Sequence, residues 1–205
     1  MTSKDLYFIL SIKKSSRSYT DRKWERVFNL NLNANDWQKI YYANLYSLKY
    51  KKFCEFKYKI LLDFLPCGSR LCKWNNKVSE RCLYCNERED TCHLLYGCER
   101  VKLIWVIFST CLNFNIRMRH VILGINNEDY ISQNNHLCIT IVSYSVFSVW
   151  CKSSFGEKRH TTLDIKLEIR KNLIFYRDVF KLILCKQRFS NLELKINCML
   201  FHLSL

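Results

Sequence analysis

Residues 82 to 98, "CLYCNEREDTCHLLYGC", place Cys82, Cys85, His93 and Cys98 in a C-x2-C-x7-H-x4-C pattern. The C-x2-C step lets one tight turn aim two thiolates at a single ion. The polar "NERED" run between the pairs is able to turn the chain back, so that the second pair faces the first. Four soft or borderline donors of this kind suit tetrahedral zinc. With all four positions filled by protein, none is left for a catalytic water, so one Zn2+ in a structural role is expected. In isolated finger peptides such an ion supplies on the order of 10 kcal/mol of folding free energy. Cys92 stands next to His93 and competes with it as the fourth ligand; the H-x4-C spacing of zinc knuckles favours His93. The plain alternative is a set of free thiols in a chain that holds twelve cysteines, and the tight spacing within one window argues against it.

Other chemistry is poorly represented. The chain has no glycine-rich phosphate loop and no adjacent Asp-Asp pair for two-metal phosphoryl transfer. Its acidic pairs, Glu89 with Asp90 and Glu128 with Asp129, sit in polar sequence that reads as exposed turns. His120, His136, His160 and His202 lack a neighbouring Cys or carboxylate arrangement that would suggest a triad or a second metal, so surface or core roles are expected. Cys111, Cys138 and Cys151 read as small buried hydrophobes.

The elements that must carry the cysteine stretch are helical by pattern. The chain of 205 residues is 49% hydrophobic and 25% charged, with four Gly and one Pro, which argues against disorder and against a turn-rich sandwich. After an Asn-rich loop, a helix is expected from about Asp36. Phe53, Phe56, Ile60 and Phe64 then repeat at helical spacing, widened by Leu61, with Glu55 and Lys59 as a supporting i,i+4 pair. Pro66 and Gly68 are expected to stop that helix. Val101, Ile104, Trp105, Phe108 and Leu112 form a second stripe beyond the cysteines, followed by a turn around "GINNEDYISQNN". The apolar run 137–150 reads as a buried helix, its β-branched content leaving a strand as the alternative. Thr161 and Asp164 resemble a capping box opening a last long helix through about Lys186. The expected fold class is mainly α, small helical domain or domains with an inserted CCHC knuckle-like loop. Its divisions are a basic, aromatic segment 1–52, a zinc-binding region 53–110 and a C-terminal helical segment 111–205.

Lys and Arg outnumber Asp and Glu by 33 to 18, a net charge of +15 that attracts polyanions and makes such binding salt-dependent. The acidic residues crowd the cysteine stretch, so the basic flanks are the expected contacts: Arg70, Lys73, Lys77 and Arg81 before it, with Lys49, Lys51 and Lys52 upstream. For each, a solvated surface charge is the alternative reading. The opening "MTSKDLYFILSIKKSS" has a short apolar run and no small-residue cleavage site, so reduced thiols in the cytoplasm or nucleus are expected. The longest apolar stretches fall short of the roughly 20 residues of a bilayer span and read as core helices, with no membrane partner.

"FCEFKYKILLDFLPCGSRLCKW" followed by "CLYCNEREDTCHLLYGCERVKLIW" resembles the zinc-binding region of LINE-type (non-LTR) retrotransposon reverse transcriptases. Phe56, Tyr58, Lys59, Ile60, Leu61, Leu65, Pro66, Leu71, Lys73 and Trp74 match its leading segment. Cys82, Cys85, Thr91, His93, Leu94, Cys98 and Trp105 match its finger and the tryptophan beyond. "VILGI" and "TLDIKLEIRKNLIFYRDVFK" are similar to the sequence near the end of such polyproteins, and the front of the chain is similar to the segment upstream. The polymerase aspartates and the endonuclease site of that family are not in this sequence. The resemblance implies a non-catalytic segment that binds RNA or DNA largely without sequence specificity and helps an enzyme core hold template or target. A zinc-stapled protein-interaction module and a degenerate retroelement relic are the alternatives; an exposed apolar patch around Trp105 or Trp150 would mark the former.

Overall fold

The computed structural model describes residues 18–45, 50–75, 78–124, 132–155 and 161–203. Among them every regular element is helical, as the apolar spacing predicts, and the one extended pairing is an isolated bridge between Arg81 and Arg88. The chain runs through α1 (Tyr19–Phe28), α2 (Ala34–Leu45), α3 (Lys51–Leu61), the single turn α4 (Gly68–Leu71), and the knuckle. It continues through α5 (Glu99–Leu112), α6 (Met118–Ile122), α7 (Gln133–Phe155), α8 (Thr162–Ile183) and α9 (Lys186–His202). The turn expected around "GINNEDYISQNN" lies largely outside the described residues.

With so few glycines, Asn and Asp take the left-handed position that ends a helix. Asn29 (φ 49°), Asp63 (φ 55°) and Asn113 (φ 47°) close α1, α3 and α5. In each case the next N–H reaches back six-to-one, from Leu30 to the Glu25 carbonyl, Phe64 to Lys59 and Phe114 to Ser109. Short polar side chains tolerate this conformation better than any residue but glycine. The expected stop of α3 at Pro66 and Gly68 is therefore corrected: Asp63 ends the helix first, and Gly68 opens α4.

α7 lies at the centre of the molecule, packed on by α3, α6, α8 and α9. The helix, not the strand, forms over 137–150. Its buried hydroxyls are satisfied within the helix, Thr140 donating to the His136 carbonyl at 2.7 Å, Ser143 to Ile139 at 2.7 Å and Ser145 to Ile141 at 2.8 Å. At 23 residues the helix exceeds the length read from the sequence and is long and apolar enough to cross a bilayer. Its neighbours cover most of it, as they would any core helix.

The capping box of Thr161 and Asp164 opens α8 as the spacing predicts. The helix is not the last one, however. It ends at Ile183, Leu184 and Cys185 adopt extended backbone, and α9 turns back against α8, α5 and α7. Burial of Phe189, Leu192, Ile196 and Met199 on that returning face offsets the break.

A continuous apolar cluster runs from Trp24 to Leu203 and draws on all three sequence segments. Within it, the fully buried Lys57 donates from Nζ to the carbonyls of Val121 and Ile122 at 2.7 and 3.1 Å, the open C-terminal end of α6. Burial pushes its ammonium down to about 7. Asn44 donates from Nδ2 to the Ile40 and Leu123 carbonyls, which leaves its Oδ1 to accept from His136 Nε2 at 3.0 Å and places a proton on that nitrogen. Burial pushes His136 down to about 3. Gly124 is required beside this pair: it has φ +71°, and a Cβ there would lie 2.8 Å from His136 Nε2.

Candidate metal centre

Two local turns build the knuckle. Cys82 and Cys85 flank a loop closed by Asn86 in the left-handed conformation (φ 59°), whose N–H donates to the Cys82 carbonyl at 3.0 Å; Cys82 N–H in turn donates to the Glu87 carbonyl at 2.8 Å. The second half is a wide π-type turn, His93–Gly97, in which Cys98 N–H donates to the His93 carbonyl at 2.8 Å. On an α-helix, residues five apart point about 140° away from each other. The wider turn closes that angle, and so H-x4-C becomes a usable ligand spacing. Asp90 Oδ1 accepts from His93 N–H at 2.8 Å and starts the turn.

The four donor atoms of Cys82, Cys85, His93 and Cys98 lie within 4.8 Å of one another. Cys82 Sγ is 4.0 Å from Cys98 Sγ, and Cys85 Sγ is 3.3 Å from His93 Nε2. Ligand sulfurs around a tetrahedral zinc stand about 3.8 Å apart, so the set fits that ion with little adjustment. The Cys98 thiol, donating to Cys82, pulls Cys82 down to about 3, with His93 adding to the effect. The same contact pushes Cys98 up, and contact with the Cys82 sulfur raises His93. The cluster thus already favours a thiolate, the form a metal takes. Cys92 is absent from the cluster, and burial pushes its thiol up to about 12. Of the two competing residues, the fold brings His93 to the donor group.

The knuckle is tied to the helical body by polar contacts. Glu89 is not part of an exposed turn, as its sequence suggested, but is 7% exposed. Its Oε1 accepts from Gly68 N–H at 2.9 Å, and a Cβ at Gly68 would lie 2.7 Å from the Ser79 carbonyl oxygen and 2.9 Å from that Oε1. Burial raises the Glu89 carboxyl above its usual range. Asp63 gathers three partners: Lys23 at 2.6 Å, Arg70 at 2.7 Å and the Thr91 hydroxyl at 2.8 Å. Arg100, in the first turn of α5, lies 3.3 Å over the Tyr84 ring at the tip. Trp105 is buried and donates from Nε1 to the Leu95 carbonyl at 2.8 Å, fixing the wide turn to α5.

The basic residues expected to contact nucleic acid are variously placed. Lys49 and Lys77 lie outside the described residues. Lys51, Lys52, Lys73 and Arg81 are exposed. Lys52 Nζ sits 4.8 Å over the Tyr144 ring, and Arg81 donates to the Asn86 carbonyl at 3.0 Å. Arg70 is the least available, held in its ion pair with Asp63 and set 5.9 Å over the Phe64 ring.

A second donor group escapes the sequence reading. Cys111 from α5 meets Cys198 and His202 from α9, the three donor atoms lying within 4.8 Å of one another. Cys111 is therefore not simply a buried hydrophobe, and His202 does have neighbouring cysteines. The local signal was C-x3-H, an i,i+4 pair on one helix face; Cys111 approaches only through tertiary packing. His120 and His136 are core residues, and His160 lies outside the described residues.

Residues 3–105 match the family described as zinc-binding in reverse transcriptase. No curated protein and no solved structure matches the chain.

Proposed function

Since the chain belongs to the family of zinc-binding segments in reverse transcriptase, we propose that it is a non-catalytic, nucleic-acid-binding fragment of a LINE-type retrotransposon enzyme. It holds one structural zinc through Cys82, Cys85, His93 and Cys98, and helps position template RNA or target DNA for a polymerase core supplied elsewhere. Four protein ligands close the coordination sphere, which favours a structural over a catalytic ion.

The observation that carries the binding role is Trp74. This ring is 84% exposed, next to the exposed Lys73, in a chain of net charge +15. A large ring held out of the core beside cations supplies a stacking platform for an unpaired base with phosphate contacts alongside, a combination that tolerates many sequences. The interaction-module alternative keeps part of its expected mark: Trp105 and Trp150 are themselves buried, but Leu103 and Val106 near the first and Phe155 against the second are exposed.

Fluorescence anisotropy with a labelled single-stranded RNA and the matching DNA, across a salt series, tests the reading. Affinity should fall steeply with salt and drop further in Trp74→Ala and in Lys73→Ala. Binding that is insensitive to both salt and Trp74 would overturn it.

A further inference from the structure

We propose that Cys111, Cys198 and His202 form a second zinc site, separate from the knuckle, with two thiolates and one imidazole from the protein and a fourth position open to water or another exchangeable ligand. Three observations converge on it. The donor atoms lie within 4.8 Å of one another, although α5 and α9 are far apart in sequence. Cys198 and His202 stand one turn apart on α9, the spacing that lets two side chains of one helix share an ion. All three residues are half-buried, close enough to solvent for an ion to enter, yet backed by packed helices.

The backbone favours a cation at the same place. Cys111 is the penultimate residue of α5 and His202 the last of α9, so two helix C-termini, each with partial negative charge, end at the cluster. Two thiolates neutralise a divalent ion, so the loaded site adds no net charge to the fold. Two sulfurs and one ring nitrogen select zinc over magnesium or calcium, whose ligands are oxygens. A set of three protein donors is the pattern of sites that keep a labile ligand, in contrast to the closed knuckle. The ion would clamp the C-terminal end of α9 to the C-terminal end of α5.

The test is native mass spectrometry of the reduced full chain after equilibration with excess Zn2+ and desalting. The wild type should retain two ions. His202→Ala, a change at the half-exposed end of α9 that leaves both thiols in place, should retain one, as should Cys198→Ser. Far-UV circular dichroism of His202→Ala should stay at the wild-type level, which separates ligand loss from unfolding. With the knuckle disabled by Cys82→Ser and Cys98→Ser, Co2+ should still give thiolate charge-transfer absorption, and His202→Ala should remove it. A wild type that saturates at one ion, a second ion indifferent to both His202→Ala and Cys198→Ser, or a Cys111–Cys198 disulfide persisting under reductant would each overturn the proposal. Because the knuckle is intact in His202→Ala, failure here is distinct from failure of the proposed function.

Discussion

The loop 78–92 and the helix α7 are ordered by opposite means. In the loop the buried side chains are Cys82, Glu89 and Thr91: a ligand, a carboxylate and a hydroxyl, with no aliphatic or aromatic residue among them. α7 buries thirteen residues, most of them apolar, against four helices. One region depends on a few directional contacts, to which the proposed zinc would add its ligation, the other on area removed from water. The contrast teaches where each is vulnerable: a loop without an apolar core keeps only a few polar contacts, such as Glu89 to Gly68 and Thr91 to Asp63, when its ligands go, whereas a packed helix degrades gradually.

The largest effect should come from the ligands. Cys82→Ser with Cys98→Ser, or chelation of the wild type, should abolish zinc retention at the knuckle and free the amides of 78–98 to exchange. The ligation removed is on the order of 10 kcal/mol in isolated fingers. Hydrogen exchange should show α7 still protected; collapse of both regions together would break the comparison. Next is the reverse experiment. Phe53, fully buried with its ring 4.5 Å from Tyr176, should cost about 3–5 kcal/mol as Phe53→Ala. Denaturant unfolding would register the loss, while the folded variant keeps its knuckle zinc.

Lys57 sharpens the contrast, being a cation inside the apolar region. Its folded value of about 7 lies below the ordinary 10.5, so between those values the unfolded chain binds more protons and this residue makes stability rise with pH. The penalty is full below pH 7. Lys57→Met should flatten that rise relative to wild type and cost about 1–3 kcal/mol through the orphaned Val121 and Ile122 carbonyls. Parallel pH profiles of the two proteins would sink the assignment. The smallest effect is expected at the tip: Arg100→Ala should loosen Tyr84 by about 0.5–1 kcal/mol, seen as faster exchange near Tyr84 with no change in global unfolding.

What the sequence disclosed follows the range of the interactions. The knuckle was legible because its donors lie in one short window and local turns bring them together. The helices at 51–61 and 99–112 were legible from apolar stripes, that at 34–45 from the Asn-rich loop before its start near Asp36, and that at 162–183 from its capping box. The halt of α8 at Ile183 was not, since no Pro or Gly marks it and its compensation is the distant burial of α9. Glu89 read as a polar loop residue because its partner, Gly68 N–H, is a backbone group that composition does not show. The group of Cys111, Cys198 and His202 was hidden for the same reason: half of its signal lay in one helix and the remainder depended on where another helix ended.

The wide turn and the C-x2-C loop also bear on the order of assembly during synthesis. All four knuckle donors emerge within a short stretch of chain, and closing so small a loop costs little entropy. A knuckle that binds zinc as proposed would therefore close while α7, α8 and α9 are still being translated, and so present α5 with a formed anchor at its first residue. Folding of this chain would then proceed from a pre-tied knot outward, with the terminal helix docking last.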